Sequence, residues 1–269
     1  MNNENKTFKK PLISQVDDLT LRLLEANKKI KEEEKERLRM LSDIAHDLRA
    51  PVNAFRSSLD YIISMRSKNS LSDEELDSLL EMMDKRTLGL QKLISDLYFL
   101  LTLEQQAKDI YHFEEIDLGC FLEEYFFDIE SRDEFKDREL SLNIPQNLNC
   151  RVKIDMDKMV RALDNLFYNA LKYSSAGAKI FLKLEENSES FVIFSINDTG
   201  IGIEKCYLDK IFEHSFQVSK ARTPDSKTGS GLGLTIVKTI IETHSGKIWC
   251  ESNPRKGSSF FIRLNKATH

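Results

Sequence analysis

A glycine-free stretch with helical periodicity limits the fold of this 269-residue chain more than any other feature of its sequence. From Leu12 to about Arg66, apolar residues recur at steps of three and four, which predicts one long amphipathic helix. Pro51 is its only interior proline. Because proline removes one backbone donor, we expect a kink or a local loosening of the helix at that position.

A second apolar repeat predicts another long helix, from Ser72 to about Glu104. Ser72 and Glu75 form a capping-box pattern at its start, and the segment from Ser67 to Ser72 is typical of a turn. Two such helices form a hairpin, which alone cannot bury both apolar faces. We therefore expect a homodimer in which two hairpins associate as a four-helix bundle.

After Leu103, short apolar runs alternate with helical patterns, which is typical of an α/β sandwich. The predicted fold class is thus α plus α/β, a helical hairpin followed by a sandwich domain. The predicted strands are Tyr111–Ile116, Leu140–Asn143, Lys179–Leu184, Phe191–Asp198, Lys247–Ser252 and Ser258–Leu264. The predicted helices are Asp117–Ser131, Asp155–Tyr173 and Leu232–His244.

Composition excludes several classes of function. The formal net charge is −5 and there is no long basic block, which argues against nucleic acid as a partner. The four cysteines lie far apart without a Cys-x-x-Cys pair, so neither a zinc site nor a disulfide framework is indicated. No apolar stretch approaches the roughly 18 to 20 residues of a membrane span. We therefore expect no membrane segment in this chain and a cytoplasmic location. The cytoplasmic part of a membrane protein would have the same sequence character.

Two glycine clusters flank a long polar stretch that runs from Glu204 to Gly231. They read Asp-Thr-Gly-Ile-Gly-Ile at 198–203 and Gly-Ser-Gly-Leu-Gly-Leu at 229–234. Glycines at this spacing let backbone amides approach an anion, and the second cluster opens into a predicted helix whose N-terminus favours phosphate. Each cluster alone is a weak signal, because a glycine turn is more often only a turn. No Walker lysine follows either of them.

A polar row lies on the helix predicted upstream of these clusters. Asn165, Asn169 and Lys172 are spaced by four and three residues, which places them on one helix face. A purely structural role, in which the side chain is hydrogen-bonded within the helix, easily explains the presence of one asparagine. It explains two asparagines and a lysine on the same face less easily.

Three segments taken together resemble the N, G1 and G2 boxes of sensor histidine kinases. They read NLFYNALKYS at 165–174, NDTGIGI at 197–203 and GSGLGLTIVK at 229–238. The ATP-binding fold of these kinases, the Bergerat fold, is shared with gyrase, the mismatch-repair ATPases and a heat-shock chaperone. The order and spacing of the boxes match from about Asp109 to Lys266. The resemblance therefore implies a catalytic ATP-binding domain at 109–266.

The resemblance also implies the cofactors, ATP and Mg²⁺, and roles for individual residues. Asn169 would be the Mg²⁺ ligand and Asn165 would support the metal and the phosphates. Lys172 would meet a phosphate, Tyr173 would pack near the adenine, and Asp198 would accept a hydrogen bond from the adenine amino group. Core packing is the alternative for Tyr173, and an Asx-turn is the alternative for Asp198. The remaining implied ATP-binding residues are Gly200, Gly202, Phe212, Gly229, Gly231, Leu232 and Gly233.

One histidine has a distinctive context on the first helix. The segment LSDIAHDLRAPV at 41–52 resembles the H box of the same family. The resemblance implies that His46 is the phosphoacceptor. Asp47 can accept a hydrogen bond from one ring nitrogen and leave the other free to attack the γ-phosphate of ATP. The other histidines lack such surroundings: His112, His214, His244 and His269.

The family pattern implies a signalling helix at 1–40, a dimerisation and histidine phosphotransfer domain at 41–105, and a response-regulator receiver domain as partner. It further implies a protein-histidine kinase in the cytoplasm, or the cytoplasmic portion of a membrane-bound kinase. The stretch 204–228 resembles the ATP lid.

The chain departs from this pattern at two positions. Ala50 stands where many members have a Thr or Asn that serves the reverse phosphatase reaction. The lid has no Arg near Gln217, where Lys220 or Arg222 could substitute.

Two other functions remain open on this fold. One is an ATPase, although the ATPases that share the fold use a Glu at the position of Asn165 to activate water. The other is a catalytically silent dimeric scaffold that binds nucleotide. A serine kinase of the same superfamily is disfavoured by the H-box context of His46.

Overall fold

The computed structural model describes residues 9–67, 72–106, 111–145, 150–213 and 231–267. The chain divides into two units, Met1–Val52 and Asn53–His269. Its α-helices are α1 (Lys9–Ser67), α2 (Asp73–Gln106), α3 (Leu118–Ser131), α4 (Met156–Lys172) and α5 (Gly233–Thr243). Its strands are β1 (Glu114–Asp117), β2 (Glu139–Asn143), β3 (Arg151–Ile154), β4 (Lys179–Asn187), β5 (Phe191–Asp198), β6 (Lys247–Ser252) and β7 (Ser258–Asn265). Among the helices of the described ranges, none combines the length and the apolar character needed to cross a membrane.

The first unit contributes the N-terminal part of α1. Its large apolar side chains are exposed in the single chain: Leu19, Leu21, Leu23, Leu24, Ile30, Leu38 and Leu41. Exposed apolar residues repeated along a helix are typical of an association surface. The helix continues through Pro51, so the long predicted helix is confirmed, while the kink at this residue stays a prediction.

Helix α2 begins as the capping box predicts. The Glu75 N–H donates to Ser72 Oγ and the Ser72 N–H donates to Glu75 Oε2, both at 3.2 Å. Ser72 is therefore the cap, and the helix itself begins one residue later, at Asp73. The predicted turn lies mostly at 68–71, outside the described residues.

The second unit contains a five-stranded sheet in the order β2-β4-β5-β7-β6, in which only the β2–β4 pair is parallel. Strands β1 and β3 form a separate antiparallel pair. The predicted sandwich is confirmed, but β3 was not predicted, because two apolar residues in a four-residue segment are too weak a signal. The strand predicted from Tyr111 begins only at Glu114, since Tyr111 and Phe113 pack against His244 instead.

One face of the five-stranded sheet carries the core. Its alternate side chains are almost fully buried: Ile180, Leu182, Phe194, Ile196, Phe260, Ile262 and Leu264. Helices α3, α4 and α5 supply the other layer, with buried residues that include Leu122, Ile129, Leu163, Leu166, Phe167, Ile236 and Ile240. Burial of this apolar surface is what holds α4 and α5 in place on the sheet.

Aspartate caps explain two small differences from the predicted helices. Asp117 and Asp155 were predicted as first helical residues, but each is the N-cap of its helix. Asp117 accepts from the Cys120 N–H, and Asp155 accepts from the Lys158 N–H. Both bonds satisfy a backbone donor that has no partner inside its helix.

His244 connects the start of α4 with the end of α5. Its Nε2 accepts a hydrogen bond of 2.9 Å from the Asp155 N–H, and its Nδ1 lies 2.7 Å from the Ile240 carbonyl oxygen. The neutral ring with a proton on Nδ1 satisfies both contacts. The rings of Tyr111 and Phe113 pack against it, and burial lowers the pKa of His244 below its ordinary value of 6.5.

We predict a loss of stability in mild acid that depends on His244. Between its folded-state pKa and 6.5, the unfolded chain binds more protons than the folded chain. The free energy of unfolding therefore falls as pH drops through 6.5, by at most about 1.4 kcal/mol per pH unit for this group. Thermal unfolding at pH 7.5 and 5.5 measures the loss. His244→Gln, which keeps an acceptor without a titrating ring, should show a smaller loss, and an equal loss would contradict the assignment.

Candidate ATP-binding site

Helix α4 carries the predicted polar row, and its other side is buried in the core. Asn165, Asn169 and Lys172 lie within its last two turns, as predicted. Asn165 is nearly buried, and its side-chain amide donates a hydrogen bond of 3.0 Å to the Arg161 carbonyl oxygen. Asn169 and Lys172 are half-buried. The last turns of the helix thus carry one nearly buried amide, one half-buried amide and one half-buried ammonium group.

The end of α4 orients Lys172. Tyr173 is the C-cap, and its N–H donates to the Asn169 carbonyl oxygen at 3.0 Å. The Lys172 ammonium nitrogen lies 4.9 Å from the centre of the Tyr173 ring, within the range of a cation–π interaction. Because 46% of Tyr173 is exposed, core packing does not describe its role.

The loop after β5 packs directly on this helix end. The Ile201 N–H donates to the Tyr173 carbonyl oxygen at 3.0 Å. A Cβ atom on Gly200 would lie 2.3 Å from that same oxygen, so only glycine fits there. Gly202 has a φ of 69°, in the left-handed region that glycine adopts at no steric cost. The first glycine cluster therefore serves close packing against the helix that carries the polar row.

Asp198 sits at the base of this loop and is 8% exposed. Its Oδ1 accepts a hydrogen bond of 2.7 Å from the Gly200 N–H, so the Asx-turn is present. Burial raises the pKa of the Asp198 carboxyl above its ordinary value, and the N–H groups of Gly200 and Ser258 oppose that rise. The turn holds the carboxylate in place next to the end of α4.

The second glycine cluster meets α4 at Asn165. Helix α5 begins at Gly233, where an added Cβ would lie 3.1 Å from Asn165 Oδ1. Leu232 is the N-cap of α5, and its apolar side chain offers no oxygen to the first turn. Gly231 precedes it in a half-buried position, whereas Gly229 lies outside the described residues. The structure thus brings the start of α5 and the polar row of α4 together.

Phe212 lies in the first part of the predicted lid, which the structure describes, and it contacts α5. Its carbonyl oxygen accepts from the Thr235 hydroxyl at 3.3 Å, and its ring lies edge-on to Phe260, with 6.4 Å between centres. The rest of the lid, from 214 to 228, lies outside the described residues, together with Gln217, Lys220 and Arg222.

The predicted H box lies on α1. His46, Asp47 and Ala50 are helical, but their side chains are outside the described part of the structure. Their roles therefore stay predictions.

Sequence reasoning missed the contact between α2 and α4. Arg161 forms an ion pair of 2.7 Å with Asp96, whose side chain is 6% exposed, and its guanidinium carbon lies 4.0 Å from the centre of the Phe99 ring. One turn earlier on α2, the Lys92 ammonium nitrogen lies 5.1 Å from the centre of the Tyr168 ring. No local pattern links these pairs, because the partners are far apart in sequence.

Sequence reasoning also missed Ser252. Its hydroxyl donates to the Gly257 carbonyl oxygen at 2.7 Å and accepts from the Ile203 N–H at 2.8 Å. It thereby joins the first glycine cluster to the turn between β6 and β7. A serine at the end of an apolar strand gave no signal of this role.

Two family models match the chain. Residues 36–106 match the His Kinase A (phospho-acceptor) domain. Residues 154–268 match the Histidine kinase-, DNA gyrase B-, and HSP90-like ATPase domain, which makes this part of the chain an ATP-binding domain. Both matches agree with the boxes found in the sequence.

Similar proteins agree with both matches. Sensor protein kinase WalK of Staphylococcus epidermidis is 33% identical over 235 residues, and that of Staphylococcus aureus is 32% identical over 235 residues. The match covers 86% of this chain in both cases, but only 37% and 54% of the two relatives. The chain therefore spans between a third and about half of the length of these relatives.

Solved structures show the same fold. Histidine kinase ThkA, in complex with response regulator protein TrrA, has a TM-score of 0.64 and 26% identity over 89% of this chain and 66% of that one. Acinetobacter baumannii histidine kinase AdeS has a TM-score of 0.62 and 24% identity over 83% of this chain and 98% of that one, which supports the fold alone. The chain belongs to the sensor histidine kinases of two-component systems, and the predicted fold class is confirmed.

The close packing at Gly200 predicts a strong and local effect of substitution. Gly200→Ala should lower the free energy of unfolding by about 1–3 kcal/mol, because its Cβ collides with the backbone at Tyr173. Gly89→Ala is the matched control, since an added Cβ there meets nothing within 4 Å on exposed α2. It should raise the free energy by about 0.5–1 kcal/mol. Urea unfolding measures both, and equal effects would contradict the packing.

Proposed function

We propose that this chain is the kinase part of a sensor histidine kinase, which binds ATP through 109–266 and transfers its γ-phosphoryl group to His46. One observation carries the proposal. The contacts at Tyr173 and Gly233 bring the polar row of α4, the buried carboxylate of Asp198 and the start of α5 together within one domain.

Each of these groups suits a different part of ATP. The N-terminus of α5 and the Lys172 ammonium favour the negative phosphates. Asp198, when ionised, only accepts hydrogen bonds, so it would accept from the adenine amino group and disfavour guanine, which has a carbonyl there. Tyr173, half-exposed at the helix end, would pack near the adenine.

Asn169 fits a site for Mg²⁺. Its amide oxygen is a hard ligand, half-buried one helix turn from Lys172. Mg²⁺ keeps several waters and binds substrate phosphates, so it needs few protein ligands, and Asn165 would support it from the previous turn. When bound, the metal neutralises charge on the phosphates.

The transfer to His46 is a direct displacement at phosphorus. One imidazole nitrogen forms a bond to the γ-phosphorus while the bond to the bridging oxygen breaks, and ADP leaves. Asp47 accepts a hydrogen bond from the ring nitrogen that carries the proton. It thereby selects the tautomer whose other nitrogen has a free lone pair. Positioning and charge balance supply most of the catalysis in such reactions, and Lys172 contributes to the charge balance.

The N box favours transfer over hydrolysis. The ATPases that share this fold place a Glu where this chain has Asn165, and an amide cannot act as a general base toward water. The ATPase alternative is therefore the weaker one. A silent scaffold is disfavoured by the filled H, N, G1 and G2 positions.

The proposed partners follow from the family. Support for a homodimer comes from the match to the phospho-acceptor domain model at 36–106 and from the exposed apolar residues of α1. Support for a response-regulator receiver domain comes from ThkA, whose structure was solved with response regulator TrrA. In this scheme 1–40 carries the signal and 41–105 dimerises and holds His46. The reaction takes place in the cytoplasm, where free thiols such as the four cysteines here persist.

Ala50 makes us expect weak phosphatase activity toward the regulator. Its side chain has no polar atom to orient a water, which the Thr or Asn of other members supplies.

Incubation with γ-labelled ATP and Mg²⁺ tests the kinase. The wild type should acquire label that is labile in acid and stable in alkali, as expected of a phosphorus–nitrogen bond. His46→Gln should remove it, while His112→Gln, a change at an exposed histidine of the other unit, should keep it.

Other outcomes of this experiment would contradict the proposal in distinct ways. Label that survives His46→Gln would place the acceptor elsewhere. Release of free phosphate without labelled protein would favour the ATPase, and ATP binding without either product would favour the scaffold.

Asp47 should affect the rate of labelling and not the binding of ATP. Asp47→Asn removes the charged acceptor, and we expect autophosphorylation to slow by about 10²-fold or more. Asp60→Asn, at an exposed position further along α1, is the matched control and should leave the rate unchanged. Initial rates at saturating ATP measure both. An unchanged rate in Asp47→Asn would show that this carboxylate does not prepare His46.

A further inference from the structure

Arg138 is a nearly buried cation whose role the proposed reaction leaves unexplained. It precedes β2, its side chain is 8% exposed, and it forms an ion pair of 2.6 Å with Asp137. Its Nε donates to Ser174 Oγ at 3.1 Å. One terminal nitrogen donates to the carbonyl oxygens of Leu171 and Ser174, at 3.2 and 3.0 Å. The guanidinium is thus bound to the C-terminal end of α4.

The two carbonyl partners enclose the residues assigned to the nucleotide. Leu171 and Ser174 flank Lys172 and Tyr173 on either side in sequence. The last carbonyls of a helix have no partner within it, and a cation there also interacts favourably with the helix dipole. Arg138 therefore fixes the backbone on both sides of the Lys172–Tyr173 pair.

The same turn carries the loop of Asp198. The Tyr173 carbonyl oxygen accepts from the Ile201 N–H, and Gly200 packs so closely on that oxygen that an added Cβ would lie 2.3 Å from it. On the other side, the Gly177 N–H donates to the Asp137 carbonyl oxygen at 2.7 Å. A displacement of the helix end would thus be transmitted to both the phosphate side and the adenine side of the site.

We propose that Arg138 is a positioning residue for the nucleotide, which sets the affinity for ATP and ADP by holding the turn that bears Lys172 and Tyr173. This inference rests on the proposed function, because it assumes that the site binds adenine nucleotide. In this proposal Arg138 acts through the carbonyl oxygens of Leu171 and Ser174 and through the Ser174 hydroxyl, and it has no direct contact with the nucleotide.

The geometry requires a guanidinium and not merely a positive charge. Arginine presents several N–H donors in a rigid plane, whereas lysine presents one flexible ammonium group. The three acceptors at the helix end, namely the hydroxyl of Ser174 and two carbonyls, are bound through two different nitrogens of Arg138. Arg138→Lys keeps the charge and loses this arrangement, so it is the informative variant.

Arg132 offers a matched control. It is also partly buried, at 26% exposure, and it also binds α4, through Asp164, with a second ion pair to Asp128. It holds the middle of the helix and makes no contact with 171–174 in these bonds. Arg132→Lys should therefore cost stability in a similar way without acting on the nucleotide.

The test is equilibrium binding of ADP with Mg²⁺ to the full chain, at a temperature well below the unfolding midpoint of every variant. Arg138→Lys should weaken binding by about tenfold, the effect expected from one lost hydrogen bond in the supporting turn. Arg132→Lys should bind like the wild type even where its unfolding midpoint falls. Ser174→Ala, which removes one acceptor, is the milder second variant and should weaken binding by about two- to threefold.

The outcomes separate this inference from the proposed function. If the wild type does not bind ADP, the proposed function is wrong and the inference falls with it. If the wild type binds but Arg138→Lys and Ser174→Ala bind equally well, the inference alone is overturned. Equal weakening by Arg138→Lys and Arg132→Lys would overturn it too, because the effect would then follow general stability.

Discussion

The contact between the loop after β5 and the last turn of α4 is the constraint on which the site depends. Ile201 bonds to the carbonyl oxygen of Tyr173, and Gly200 lies so close to that oxygen that no other residue fits. This contact joins the carboxylate of Asp198 to the helix that bears Lys172. Without it, the groups that we propose for adenine and for phosphate would belong to two independent segments, and neither group alone would distinguish ATP from other anions.

Features with local signals in the sequence were predicted correctly. The spacing of Asn165, Asn169 and Lys172 determines their shared helix face, since helix periodicity is a property of neighbouring residues. The capping box at Ser72 and Glu75 spans only one turn, and the structure contains both of its hydrogen bonds. The strands and helices of the sandwich follow in the same way from alternating and helical apolar patterns.

Features that rest on distant partners were not predicted. His244 binds the backbone of Asp155, 89 residues away in sequence, and Arg138 binds Ser174, 36 residues away. Nothing near these residues distinguishes them from ordinary polar side chains, because their partners are set by the packing of the sheet and helices. Both residues bind an end of α4, the helix that carries the polar row.

The central claim is that α4, α5 and the Asp198 loop form one site for adenine nucleotide. Equilibrium binding of ATP and of GTP, each with Mg²⁺, to wild type and Asp198→Asn tests it most directly. We expect one ATP bound per chain, GTP weaker by about 100-fold or more, and a large loss of ATP affinity in Asp198→Asn, because a buried acceptor selects the adenine amino group. Equal binding of ATP and GTP by the wild type, or unchanged ATP affinity in Asp198→Asn, would contradict the claim.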